Sequence, residues 1–244
     1  MGDGQRGDPL TLTDAYSRFL LRGEGVLDPD GTEVRRIVER AFQEFGLPAV
    51  IRSDNGPPFA STAAGGLTPL AVWWIRLGIR PERIEPGQPQ QNGRHERMPL
   101  TLKRETVTPP AANLRAQQRA FDRFRAEYHE VRPHEALGQR PPATGYAPSG
   151  QPYPERLPRL DNPYVEQRMV DRVGEVRWGR RRISLAHGLY GEPVDLIPAG
   201  ERQWEVRFGP VTLGLIDETR LHKGLIRPRR RRDPGDEVSR MSPV

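Results

Sequence analysis

IRSDNGPPF, residues 51–59, and PGQPQQNGRHERM, residues 86–98, are the two stretches on which the reading of this chain turns. Leu47, Ala49, Val50 and Ile51 form a short apolar run that predicts a buried strand. Asn55-Gly56-Pro57-Pro58 breaks the chain just beyond it, which places Asp54 at a strand terminus with its carboxylate toward a cleft. In the second stretch a Pro/Gly/Gln-rich loop runs into RHERMPLTLKRE, with Glu96 near the start of a predicted helix. An acid at a strand end and another on a helix can converge on one divalent cation. Magnesium takes carboxylate oxygens and keeps water positions open for phosphate. The residues alone leave a second reading open, because an Asp-Asn-Gly turn more often closes a chain reversal than binds metal.

Around these stretches lie TLTDAYSRFLL (11–21), RPHEALGQRPPA (132–143) and WEVRFGPVTLGLIDE (204–218). In this order the segments resemble the insertion-sequence transposases of the retroviral-integrase superfamily, DDE enzymes with a ribonuclease-H-like core. The resemblance runs over nearly the whole chain. It implies metal-dependent DNA cleavage and strand transfer, with two magnesium or manganese ions in an intact relative. Asp54 then corresponds to the second acid of the triad and Glu96 to the third, each both catalytic and metal-binding. They stand 42 residues apart, which makes STAAGGLTP (61–69) a loop insertion. The first acid belongs to a strand upstream of a glycine-rich turn similar to Gly2-Asp3-Gly4. Asp14 falls on the counterpart of the second strand, and Asp3 and Asp8 match nothing catalytic. The expected fold is therefore an α/β, ribonuclease-H-like integrase core lacking its first strand, N-terminally truncated, followed by a small all-β, barrel-like domain. With two acids of three, the expected protein transposes nothing as written. The alternative is a non-catalytic DNA-binding remnant, or a regulator of a full-length transposase.

The resemblance also names partners: DNA, both element ends and target, and further copies of the chain assembled on it. Asn92, Arg94, His95, Arg97, Lys103 and Arg104 surround Glu96 and are the expected DNA contacts of the core; Arg180, Arg181 and Arg182 are those of the C-terminal part. Composition agrees. The 244 residues carry 38 Lys+Arg against 32 Asp+Glu, a net charge of +6. Only Lys103 and Lys223 are lysines. Arginine's planar fork suits phosphate, but arginine also accumulates in proteins of GC-rich genomes, and composition alone does not separate the two. Cysteine is absent, which excludes disulfides and thiolate metal sites. No apolar run reaches the roughly 20 residues of a membrane span, and no signal-peptide core opens the chain. A soluble bacterial cytoplasmic protein, nucleoid-associated when bound, is expected.

Periodicity sets the expected elements. Leu10 to Leu21 is a strand region interrupted by DAYSR. Val34, Ile37, Val38, Ala41, Phe42 and Phe45 predict a helix capped by Thr32 and ended by Gly46. Thr68-Pro69 opens a second helix, in which one of Trp73 and Trp74 is core and the other partly exposed, since neighbours on a helix point about 100 degrees apart. Ile79–Glu85 is a strand. Pro99 lies three residues past Glu96; a helix starting near Arg97 tolerates it but leaves Glu96 on the loop, and an earlier start strains the helix. Thr108-Pro109-Pro110 starts a further helix carrying Leu114, Phe121, Phe124 and Tyr128. His134 and Glu135 read as structural. The expected organisation is a partial core over 1–137, a Pro-rich linker over 138–160, a β domain of about five strands over 161–222 and a basic, disordered tail over 223–244.

Overall fold

The computed structural model describes residues 8–27, 30–84, 98, 100–107 and 111–227. The chain forms two compact units, one of residues 1–61 and 68–159, the other of residues 62–67 and 160–244.

In the first unit, β1 (Asp8–Thr13) and β2 (Leu20–Val26) pair antiparallel, Asp8 opposite Val26. α1 (Gly31–Phe45) follows. Asp30, not Thr32, caps it, accepting from the Glu33 amide at 2.7 Å. A carboxylate is as good a cap as a hydroxyl and lies where the backbone is still extended. β3 (Val50–Ser53) and β4 (Arg80–Arg83) are parallel, joined through α2 (Pro69–Arg76). Thr68 caps α2, accepting from the Ala71 amide at 3.2 Å. Residue 98 and residues 100–106 are helical, labelled α3. α4 (Leu114–Glu130) is capped by Asn113, which accepts from the Ala116 amide; Thr108, Pro109 and Pro110 lie outside the described residues. Among the described residues β1 pairs with β2 and β3 with β4, as two separate two-stranded sheets.

Two apolar clusters hold this unit. Val34, Val38 and Phe42 of α1 meet Ile51, Leu70, Trp73, Trp74 and Ile79. Both tryptophans are buried, against the expectation for one of them. Trp73 packs on Phe42, with the Arg35 guanidinium 4.9 Å from a Trp73 ring centroid, while Trp74 stacks on Phe59. α2 is covered on both flanks, so the 100-degree offset exposes neither ring. The second cluster sets Leu20, Met98 and Leu102 against Phe121, Phe124 and Tyr128 of α4. α4 comes close to β2 because position 25 is glycine; a Cβ there would stand 2.8 Å from Leu114 Cδ1. Gln118, Arg125 and His129, on one face of α4, then serve the open edge of β2. The Gln118 amide bonds Gly25 N and Gly23 O, Arg125 donates to Leu21 O, and His129 Nε2 accepts from Leu20 N at 3.1 Å. These side chains do what a neighbouring strand would do.

The Pro-rich stretch is extended and packs along the first unit. Tyr146 stacks on Phe19. Ser149 N donates to Phe45 O, Tyr153 Oη bonds Glu39, and Arg76 Nε donates to Pro158 O. Tyr153 and Leu157 lean on the tryptophan cluster.

The second unit is antiparallel. β5 (Glu166–Met169), β8 (Pro193–Gly200), β9 (Gln203–Phe208) and β10 (Val211–Asp217) form a sheet in the order β10-β9-β8-β5, and β6 (Glu175–Trp178) with β7 (Arg181–Ser184) makes a separate hairpin. Val176, Ile183, Leu189, Val194, Leu196, Val206, Phe208, Leu213 and Ile216 are buried with alternating spacing. Val173 and Tyr190 fall outside the strands and are exposed. Residues 62–67 complete this unit: Ala64 and Leu67 are buried, and Arg227 Nη1 donates to Thr62 O at 2.8 Å.

Candidate nucleic-acid and metal site

β3 and β4 run parallel, so their carboxyl ends lie together, where open α/β sheets place their ligands. Asp54 follows the last residue of β3 and is exposed. Its Oδ1 accepts from the Gly56 amide at 3.2 Å, and no cation pairs with it among the described residues. Asn55 Nδ2 donates to Ile84 O at 2.7 Å, fastening the acid-bearing turn to the end of β4. An oxygen pair directed to solvent from a braced strand end is a sound half of a hard-cation site. The oxygens of Glu82 are already engaged, by Arg52 at 3.0 Å and Arg80 at 2.9 Å, and hydrogen bonding to Arg52 above all holds its carboxyl below the usual range.

Glu96, with Asn92, Arg94, His95 and Arg97, lies outside the described residues. Lys103 and Arg104 sit on α3, whose inward residue is Leu102; Arg104 is exposed and Lys103 half-buried. Glu105 takes Arg132 with both oxygens at 2.7 Å, which removes one positive charge from the surroundings of α3. Among the described residues no group of three or more His, Asp or Glu converges on a metal position.

In the second unit Arg180, Arg181 and Arg182 are exposed at the tip and on β7 of the β6–β7 hairpin. The sequence reading missed their neighbour Arg177, which stands directly opposite Arg182. Like charges at opposed positions destabilise a strand pair. Asp171 offsets this only in part, with Arg182 Nη1 at 3.4 Å. The alternation Val176-Arg177-Trp178, apolar-basic-apolar, was the available signal. Arg168, 4.1 Å over the Trp178 ring, is by contrast a packing residue.

Residues 77–142 match the integrase core domain family. The chain is 33% identical over 144 residues to the insertion element IS476 uncharacterized 39.2 kDa protein of Xanthomonas euvesicatoria, covering 59% of this chain and 40% of that protein. It is 30% identical over 146 residues to the insertion element IS407 uncharacterized 31.7 kDa protein of Burkholderia multivorans, covering 59% of this chain and 50% of that one. The chain thus spans half or less of the length of these relatives. Among solved structures, a chain of the simian T-cell lymphotropic virus intasome aligns over 91% of this chain and 78% of its own, with 16% identity and a TM-score of 0.47. The integrase-core match thus falls within the α/β unit, from the end of α2 to the segment after α4. Over 59% of its length the chain is similar to insertion-element proteins. No helix among the described residues is long and apolar enough to cross a membrane.

Proposed function

We propose that this chain acts on DNA in the bacterial cytoplasm, as a member of a transposition apparatus whose lineage chemistry is magnesium- or manganese-dependent strand cleavage and transfer. The observation that carries the reading is Asp54, exposed and paired with no cation among the described residues at the carboxyl end of a parallel strand pair, followed by the integrase-core match that includes Glu96. Asp54 and Glu96 would hold the metal, which when bound activates the attacking oxygen and stabilises the leaving one. Asn55 keeps the Asp54 turn in place through Ile84. Lys103 and Arg104, with Asn92, Arg94, His95 and Arg97, would hold phosphates beside it, and several copies of the chain would assemble on the DNA.

Two carboxylates match where the chemistry of this superfamily uses three, so the chain by itself gives no turnover in this reading. Its own contribution is DNA binding, and the Arg177–Arg182 pair, only partly offset by Asp171, favours that second role. The test is a strand-cleavage and strand-transfer assay with magnesium on duplex DNA, run beside binding titrations. Binding without turnover is expected. Turnover lost in Asp54→Ala would sink the inactivity and keep the lineage; neither binding nor turnover would remove both.

A further inference from the structure

Away from Asp54, the first unit carries a groove of about 470 Å³ between the turn after β1 and the segment after α4. Its walls are Ala15, Tyr16 and Arg18 on one side, and Ala136 to Gly138 with Arg140 on the other. The turn is rigid. Asp14 Oδ2 accepts from both the amide and hydroxyl of Ser17, at 2.7 and 2.6 Å, and Ser17 is fully buried. Phe19 is sandwiched between His129 and Tyr146, at 3.7 and 4.2 Å between ring centroids. On this pedestal Tyr16 stands 82% exposed, a large ring held out in water with no packing reason. Arg18 is held at φ 64, a strained conformation for a side chain of its size. Across the groove the backbone bridge between His134 and Arg140 closes the opposing loop.

The two guanidiniums are oriented but not neutralised. Arg18 Nη1 donates to Ala15 O at 2.8 Å and Arg140 Nε to Leu137 O at 3.1 Å, each to its own loop. Neither forms an ion pair among the described residues. Their remaining N–H groups have no carboxylate partner among the described residues, and both arginines line the groove together with Tyr16. The positive field is felt nearby: burial first, then the charges of Arg132 and Arg18, hold His134 below its ordinary pKa.

We propose that this groove binds a single-stranded segment of DNA, Arg18 and Arg140 on its phosphates and the Tyr16 ring under an unpaired base. This rests on the reading of the chain as a DNA-acting protein. Charge complementarity selects a polyanion, and a presented aromatic face selects unstacked bases over a duplex, whose bases show no free face.

The test uses the full chain with a labelled oligothymidylate and a labelled duplex of equal length, followed by fluorescence anisotropy over a range of salt. Tyr16→Ala is expected to weaken oligothymidylate binding about tenfold and to leave the duplex within about twofold, while Tyr16→Phe restores binding. Arg18→Gly, which suits the positive φ, and Arg140→Ala should each lower the salt slope for the single strand by about one. Thermal melting controls for folding, and Tyr16, exposed as it is, offers little to lose. Loss of equal size on both DNAs, or no loss on either, overturns the site. A wild-type chain that binds neither DNA overturns the functional reading itself, whereas normal wild-type binding with unchanged variants overturns the groove alone.

Discussion

Gly65→Ala tests whether residues 62–67, an insertion between β3 and α2, are part of the core of the second unit. Gly65 sits at φ +62, where a β-carbon costs about 1 kcal/mol. That carbon would also stand 2.9 Å from Leu213 Cδ2 and 2.9 Å from Val211 Cγ1. Leu213 is fully buried on β10, so its end has no open space to swing into. Overpacking of this kind costs about 1–3 kcal/mol. Together the two effects predict a destabilisation of about 2–4 kcal/mol confined to the second unit. Gly78→Ala is the matched control. It has φ +78 with nothing within 4 Å, so only the backbone cost of about 1 kcal/mol applies, and it lies in the first unit. Native-state hydrogen exchange read by peptide mass resolves the two units. Gly65→Ala should speed exchange in β8, β9 and β10 and spare α1; Gly78→Ala should act weakly, and around α2 and β4. If Gly65→Ala leaves β9 and β10 within about 0.5 kcal/mol of wild type, or loosens α1 instead, the insertion is an ordinary surface loop and the reasoning fails.

Other outcomes follow from the same packing. Leu102→Ala removes a side chain with no exposed surface from the α3–α4 cluster and should cost about 2–5 kcal/mol in a urea melt of the first unit. Arg177→Ala should lower the salt slope of duplex DNA binding by about one and at the same time leave the melting temperature equal or higher, because it relieves the repulsion with Arg182; a structural arginine would lower the melting temperature. His129 is held near pKa 4, below its ordinary value, chiefly by burial and then by the charge of Arg125. The unfolded chain therefore binds more protons between about pH 6.5 and 4, and stability must fall as pH drops through that window. Denaturant midpoints at the two ends of it, with His129→Gln flattening the difference, check the sign; His134, lowered likewise by burial, adds to the same trend.

The elements were legible wherever a period was clean. The apolar positions of α1, the Thr68-Pro69 start of α2, the strand before Asp54 and the alternation from Trp204 to Leu215 all correspond to observed elements. What was not legible depends on partners distant in sequence. Trp73 and Trp74 are both buried because Phe42 and Phe59 approach from opposite flanks. Gln118, Arg125 and His129 read as the polar face of an amphipathic helix, yet they close the edge of β2, about 100 residues away in sequence, a role no local pattern carries. The same limit holds for the candidate site. Asp54 was visible from its strand and turn. The opposition of Arg177 to Arg182, and of Arg18 to Arg140, exists only once a hairpin and a groove have formed.

Tertiary structure also divides the arginines that composition could not. Phosphate recognition and a GC-rich coding bias both predict an arginine excess, but they predict different neighbours. An arginine accumulated by bias and tolerated by the fold ends beside a carboxylate or over a ring, as Arg22 with Glu44, Arg40 with Glu24, Arg132 with Glu105 and Arg35 on Trp73 do. Exposed pairs of this sort add little stability, but they cancel charge locally. An arginine kept for an anion must avoid such neutralisation and accept a cost while no ligand is bound. Arg177 and Arg182 face each other across two strands with Asp171 reaching only Arg182, and Arg18 bears a left-handed backbone and no ion pair among the described residues. The net charge of +6 is thus distributed unevenly. Several arginines of the first unit are paired in place, whereas Arg18 and Arg140 line one groove and Arg177 faces Arg182 across one hairpin. That is the distribution a protein needs if its cations are to meet phosphates rather than only keep it in solution.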